Sequence, residues 1–348
     1  MGSQQSPIAL HLSYNRQILS FIDFMLLSGS YMSVVLLVAA SMNMQCIAEH
    51  LAHAEPSLTV AELQQHCHQT EAVVIEAPLE QSQEISQRLL DEQQIHTNKF
   101  GLSALYNNYI LFASYNQNAQ MNRWEYSDSQ PDPWEMKFQF SFKVPLLPAH
   151  DNGGMLYMGY TNQSWWQAFN DDASAPFRDT NHMPEILWIQ PFHGLYLGDW
   201  QLQAGSLSLN HQSNGRSGLA SRSWNRIIGS LAFEHNRWVL GARAWYRLPE
   251  QTKLNPEDSK GDDNPDITDY LGYGELFGLY ARDQHNFNIR LRGNPQAHHS
   301  AVELGWSFPI KGKIRGYLQG YWGYGENLLD YNQKSERISI GIEVTPLL

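Results

Sequence analysis

Apolar and polar residues alternate along the chain from about residue 98 to its end. Successive side chains of a strand point to opposite faces, so this period of two predicts strands with one apolar and one polar face. Turn residues separate twelve such stretches, whose lengths fit tilted membrane strands. The predicted strands are Asn108–Tyr115, Glu135–Pro145, Met155–Trp165, Ile186–Phe192, Trp200–Ser213, Ser223–Phe233, Trp238–Leu248, Glu275–Arg282, Asn286–Gly293, Ser300–Ile310, Lys313–Trp322 and Arg337–Thr345.

The stretch Gly205–Ser213 shows which way the faces point. Its odd positions are Leu207, Leu209, His211 and Ser213, and its even positions are all polar. A half-buried strand of a soluble protein would alternate in the same way. An apolar exterior and a polar interior that recur over many strands instead favour an inside-out barrel. We therefore predict an all-β fold, a twelve-stranded antiparallel transmembrane β-barrel.

The first 97 residues follow a different pattern. The apolar run Met32–Ala40 has the length of the central part of a signal peptide, so residues 1–48 are predicted to be a signal region with an uncertain start and cleavage site. An N-terminal membrane anchor is the alternative. Residues 49–97 are rich in Glu, Gln and His and are predicted to form a periplasmic tail, partly helical or disordered. The barrel is assigned to residues 98–348.

Composition and charge narrow the function classes. The chain has 17 Tyr, 14 Phe and 11 Trp but only 17% charged residues, which suits a barrel with aromatic girdles and also a soluble β-sandwich. A net charge of −12 argues against nucleic acid as a partner, because phosphate backbones need clustered Lys and Arg. The absence of cysteine after Cys67 excludes a disulfide framework for the main body.

Three residues near one predicted hairpin could carry chemistry. His211 and Ser213 are two apart on a strand, so both side chains point to the same face. A hairpin centred near Gly218 places Asn225 opposite His211. Ser213 would then be a nucleophile, His211 its general base and acid, and Asn225 the group that orients His211. The backbone N–H of Gly215 could face the developing oxyanion.

A neutral Asn suits a site where water is scarce, because an uncompensated carboxylate there is costly. His-x-Ser alone is a weak motif, however, and all three residues could simply flank a turn.

Several longer motifs resemble the outer-membrane phospholipase A family. The similarity covers roughly residues 98 to 348 and includes the residues of the predicted hairpin. The motifs are Tyr160–Thr161, Ser164–Gln167, Ala175–Asn181, His211–Ser217, Ser221–Arg226, Asp262–Thr268 and Gly323–Asn332.

This resemblance implies a phospholipase A1/A2 in the outer membrane that hydrolyses acyl esters of phospholipids and lysophospholipids. It also implies a dormant monomer and an active homodimer with Ca²⁺ at the interface. The implied calcium ligands are the carbonyl of Arg216, the hydroxyl of Ser221 and the carbonyl of the partner's Ala175. Oxygen ligands of this kind are the ones that Ca²⁺ prefers.

The sequence departs from the family pattern at one point that matters. Gly218 stands where relatives can have Asp, which leaves Asp263 as one possible ligand of a second calcium site. Gln163 would lie at the dimer interface by the same resemblance, although a position in the lumen or on the surface is equally compatible with its spacing.

Two other functions remain compatible with parts of the sequence. A porin-like or structural barrel could have kept the scaffold without activity. A soluble esterase would lack the Gly-x-Ser-x-Gly motif and would leave the outward apolar faces in water.

Overall fold

A computed structural model describes residues 101–118, 130–147, 153–255, 258, 260–311 and 314–345. The predicted signal region and periplasmic tail lie outside these ranges. The strands of the described part are β1 (Asn108–Asn116), β2 (Trp134–Pro145), β3 (Met155–Trp166), β4 (Phe177–Pro191), β5 (Tyr196–Leu197), β6 (Trp200–Ser213), β7 (Ser223–His235), β8 (Trp238–Arg247), β9 (Gly274–Arg282), β10 (His285–Asn294), β11 (His299–Lys311), β12 (Ile314–Tyr324) and β13 (Lys334–Thr345).

The strands of the described ranges form one closed antiparallel sheet. Each long strand pairs with its neighbours along the chain, β1 pairs with β13, and β4 pairs with β6. The two-residue strand β5 only adds to the end of β6. The barrel wall therefore has twelve strands, which confirms the predicted fold class.

The two faces of the wall are inverted relative to a soluble protein. On β6, Leu207 and Leu209 are more than half exposed outside, whereas Ser208 and Asn210 are buried in the lumen. On β13, Ile338 and Ile340 are exposed in the same way. Apolar side chains that would be costly in water therefore meet hydrocarbon, as the alternation of the sequence predicts.

The start of β4 was predicted wrongly. The strand begins at Phe177 rather than at Ile186. The prediction missed the first half of the strand because that half lacks the apolar–polar alternation by which strands are recognised. Asp179 and Asn181 point inward and are fully buried. Outward positions here carry Thr180 and His182, since this end of the strand lies near the polar rim. The extra length matters because it places His182 opposite Ser213 of β6.

The loop between β8 and β9 folds back over one end of the lumen. It contains the short helix α1 (Ile267–Leu271), whose Ile267 and Leu271 pack in a buried cluster with Trp224 of β7 and Leu328. Within the described ranges, no helix is long and apolar enough to cross a membrane. The buried cluster around Trp224 anchors the acidic part of the β8–β9 loop beside the β6–β7 hairpin.

Charged side chains fill much of the lumen and leave a cavity of about 360 Å³. Near the cavity, Glu326 accepts hydrogen bonds from Lys137 Nζ at 3.1 Å and from Arg337 Nε at 3.0 Å. Burial would raise the pKa of Glu326, but the two cations hold that pKa well below its usual range. The loop that follows β12 is thereby tied to β2 and β13.

Candidate active site

A histidine and an asparagine face each other on the outer surface of the barrel. His211 of β6 and Asn225 of β7 are direct register partners, in the arrangement that the hairpin predicts. His211 Nδ1 lies 2.9 Å from Asn225 Oδ1. Since an amide oxygen only accepts hydrogen bonds, Nδ1 must carry the proton. The other ring nitrogen, Nε2, is thereby left as a proton acceptor.

Ser213 lies two residues beyond His211 on the same outward face. Its register partners are Ser223 on β7 and His182 on β4. Within the described part of the chain, no hydrogen bond joins Ser213 Oγ to His211. Catalytic hydrogen bonds are often long in ligand-free sites and tighten when substrate binds. The structure thus brings all three sequence-predicted side chains to one patch of the wall.

Glu250 is a fourth member of this group that the sequence analysis missed. Asn225 Nδ2 donates a hydrogen bond to Glu250 Oε1 at 3.1 Å. This bond fixes the amide so that its oxygen faces His211. No spacing in the sequence indicated the contact, because Glu250 stands in the loop after β8, 25 residues from Asn225.

The loop after Ser213 is held by a buried asparagine. Asn214 Nδ2 donates to the Ala220 carbonyl at 2.9 Å, and Asn214 Oδ1 accepts from the Arg222 N–H at 2.9 Å. Gly215 has a φ of +65°, a left-handed conformation that favours glycine. Its N–H makes no hydrogen bond within the described residues. The geometry leaves this donor available beside Ser213.

The same loop carries two of the sequence-predicted calcium ligands. The side chain of Arg216 donates to the carbonyls of Phe177 and Arg178, which fixes the loop against β4. Ser221 Oγ donates to Asp263 Oδ2 at 2.8 Å. The structure therefore brings Ser221 into contact with Asp263, whereas the side chain of Arg216 turns toward β4. Across the described ranges, no group of three or more His, Cys, Asp or Glu side chains could hold a metal.

Asp263 already has a cationic partner. The Lys253 ammonium forms an ion pair with Asp263 Oδ1, and both side chains are largely buried. Gly218 has a φ of +60°, which explains why glycine suits this position. A second calcium ion at Asp263 would thus have to compete with Lys253.

Two further predicted interface residues lie on β3 and the loop after it. The Ala175 carbonyl accepts a hydrogen bond from Trp166 Nε1 at 2.8 Å, and Ala175 has a φ of +48°. Gln163 donates to Gln139 Oε1 at 2.6 Å and lines the lumen cavity. The lumen, which was one of the alternatives for Gln163, is where this residue lies.

Comparisons with known proteins agree on one family. The family model described as phospholipase A1 matches residues 85–344. Phospholipase A1 of Proteus vulgaris is 35% identical over 259 residues, which cover 73% of this chain and 85% of that protein. A candidate phospholipase A1 of Neisseria meningitidis is 40% identical over 211 residues, and the match spans 54% of its length.

A solved structure shows the same architecture. The calcium-bound dimer of the Salmonella typhi outer membrane phospholipase has a TM-score of 0.65 and 32% identity, covering 72% of this chain and 94% of that one. The similarity thus extends over nearly the whole barrel.

Proposed function

This chain belongs to the phospholipase A1 family of outer-membrane β-barrel enzymes, and on that premise we propose that its Ser213, His211 and Asn225 hydrolyse acyl esters of phospholipids and lysophospholipids. The observation that carries the proposal is the His211–Asn225 hydrogen bond beside an outward-facing Ser213. Substrate lipid would meet these groups directly, since they lie on the apolar side of the wall.

The reaction would proceed in two proton-balanced steps. His211 Nε2 takes the hydroxyl proton of Ser213 as Oγ attacks the ester carbonyl carbon. The bond to the glycerol oxygen breaks, His211 returns the proton to that oxygen, and the acyl group remains on Ser213. A water molecule then gives a proton to His211 and attacks the acyl carbon. Free fatty acid leaves as Ser213 recovers its proton.

Two groups of this chain would assist without exchanging protons. Asn225 keeps the proton of His211 on Nδ1, so that Nε2 is available as the base. The N–H of Gly215 would donate to the oxygen that becomes negative in the tetrahedral intermediate. Such preorganised donors are worth most where water is excluded.

We further propose that the active form is a calcium-bound homodimer. The loop oxygens support this, because the Arg216 carbonyl and the Ser221 hydroxyl belong to the loop that directly follows Ser213 and are hard ligands of the kind that Ca²⁺ takes. The partner's Ala175 would supply a third oxygen. When bound, calcium would add positive charge near the developing oxyanion. Asp263 remains a proposed ligand of a second site, in competition with Lys253.

Fatty-acid release from phospholipid micelles by the refolded full chain tests the proposal. Ser213→Ala should abolish release while the protein keeps the heat-modifiable migration of a folded barrel. Ser206→Ala, on the lumen face of the same strand, is the matched control and should remain active. Chelation should stop the reaction, and added Ca²⁺ should restore it.

Undiminished release by Ser213→Ala, or by the chelated protein, would refute this mechanism. Ion conductance without hydrolysis in any detergent would instead favour a catalytically silent, porin-like barrel.

A further inference from the structure

A second histidine faces the nucleophile from the other side. His182 of β4 is the register partner of Ser213, so its side chain projects from the same outer face. His182 is partly buried, and its ring packs near that of Tyr160, with centroids 6.2 Å apart. Ser213 therefore lies between His182 on β4 and the β7 strand that carries Asn225.

The contacts of His182 Nδ1 fit the tautomer that carries the ring proton on Nε2. Its Nδ1 lies 2.7 Å from the Tyr160 hydroxyl and 3.5 Å from Asn162 Nδ2. The Asn162 oxygen accepts from Ser164 Oγ at 3.1 Å, which turns the amide nitrogen, a donor only, toward His182. Asn162 Nδ2 can only donate and the Tyr160 hydroxyl can donate, so the tautomer in which Nδ1 accepts suits both neighbours. In that tautomer the ring proton is on Nε2.

The protonated edge of the ring borders the space above Gly215. A methyl group built on the Gly215 Cα would lie 3.7 Å from His182 Cδ2 and 3.8 Å from His182 Nε2. The Nε2 edge of His182 and the backbone of Gly215 thus border the same space, two residues after Ser213. An imidazole protonated on Nε2, with Nδ1 already occupied, cannot take the proton of Ser213, so its available chemistry is donation.

We propose that His182 Nε2–H is a second protein donor to the oxyanion formed when Ser213 attacks the ester, and that Tyr160 and Asn162 are positioning residues for it. This inference rests on the proposed function. The bond matters when the carbonyl oxygen gains charge, so its loss should lower kcat more than it raises KM.

The test compares two variants of the full-length protein. His182→Phe keeps a ring of similar size without a donor, whereas His182→Gln keeps an N–H at a similar reach. Each is assayed on a diacyl phospholipid and on a p-nitrophenyl acyl ester, which has the ester but no phosphate. His235→Phe, at the opposite end of the wall, is the matched control.

His182→Phe should lower kcat on the order of 10- to 100-fold on both substrates with little change in KM, which is the range for loss of one oxyanion donor reduced by the donors that remain. His182→Gln should recover most of that loss, and Tyr160→Phe should show a smaller loss than His182→Phe. Rescue by Gln separates donation from a packing role, since a packing defect would not follow the N–H.

Other results would overturn the inference. An effect confined to the phospholipid, and seen in KM, would mean that His182 contacts the phosphate instead. If the wild-type protein is active and His182→Phe has the same kcat, the inference about His182 is refuted and the proposed function still stands. A wild-type protein that hydrolyses neither ester would remove the proposed function and this inference with it.

Discussion

Asn225 donates its amide N–H to Glu250 at 3.1 Å while its oxygen faces His211. A rotated amide would lose the bond to Glu250 and would place two N–H donors against each other at His211 Nδ1. Glu250 therefore selects the amide orientation that keeps His211 in its basic tautomer. The Glu250 carboxylate contacts Asn225 and not the imidazole of His211, so it orients the ring only through Asn225.

Glu250→Ala should therefore lower kcat by about fivefold to tenfold, the equivalent of one lost hydrogen bond of about 1 kcal/mol or slightly more. KM should change little, because Glu250 contacts Asn225 and acts on the reaction only through it. Steady-state hydrolysis of a phospholipid measures the effect. Glu250→Gln keeps an acceptor for Asn225 and should retain most of the activity. An unchanged rate in Glu250→Ala would mean that Asn225 is held by other contacts.

Lys253 bears on calcium through its ion pair with Asp263. Lys253→Gln removes the ammonium and frees the carboxylate next to Ser221, so calcium should bind more tightly. We expect the calcium concentration for half-maximal activity to fall by roughly twofold to tenfold. The measurement is a calcium titration of activity, with the exposed Lys260→Gln in the same loop as the control. A rise in the calcium concentration for half-maximal activity would contradict this. It would show that the ion pair of Lys253 with Asp263 stabilises the β8–β9 loop and does not compete with the metal.

Glu326 should matter for stability rather than for catalysis. Glu326→Gln leaves the buried Lys137 without its ion-pair partner and leaves Arg337 paired only with Glu135 among the described residues. This loss should lower the free energy of unfolding by ~3–5 kcal/mol. Denaturant unfolding in detergent micelles measures this loss. Glu336→Gln, which breaks the exposed pair with Lys334, is the control and should change the free energy little.

The pH dependence of that difference follows from the lowered pKa of Glu326. A carboxyl whose pKa is depressed by folding contributes its full stability above its ordinary pKa of 4.5. That contribution is lost only as the pH falls from there toward the folded-state pKa. The gap between wild type and Glu326→Gln should thus be constant from neutral pH to about pH 5 and narrow in stronger acid. A gap that narrows already between pH 7 and 6 would contradict the assigned pKa direction.

The sequence predicted the features that depend on period and on local turns. Twelve strands, their outward faces and the pairing of His211 with Asn225 all follow from alternation and from one short hairpin. The start of β4 was missed because its outward residues near the rim are polar, which removes the alternation. Had β4 been extended to Phe177, counting residues would have placed His182 beside Ser213.

Contacts between distant segments were beyond the reach of such counting. Glu250 and Lys253 come from the loop after β8, and their positions depend on how that loop folds over α1 and the buried cluster of Trp224. No residue spacing encodes that packing. The proposed calcium ligand at Arg216 is a backbone carbonyl, and residue spacing cannot identify such a ligand because any residue type can supply it.

The outward orientation of Ser213 and His211 has a consequence for how this enzyme would encounter its substrate. A lipid would reach the proposed nucleophile, Ser213, by lateral diffusion within the leaflet rather than from the aqueous phase. The rate of turnover should then depend on the mole fraction of lipid in the membrane or micelle that holds the barrel. Adding inert detergent should lower the rate even when the bulk lipid concentration is held constant.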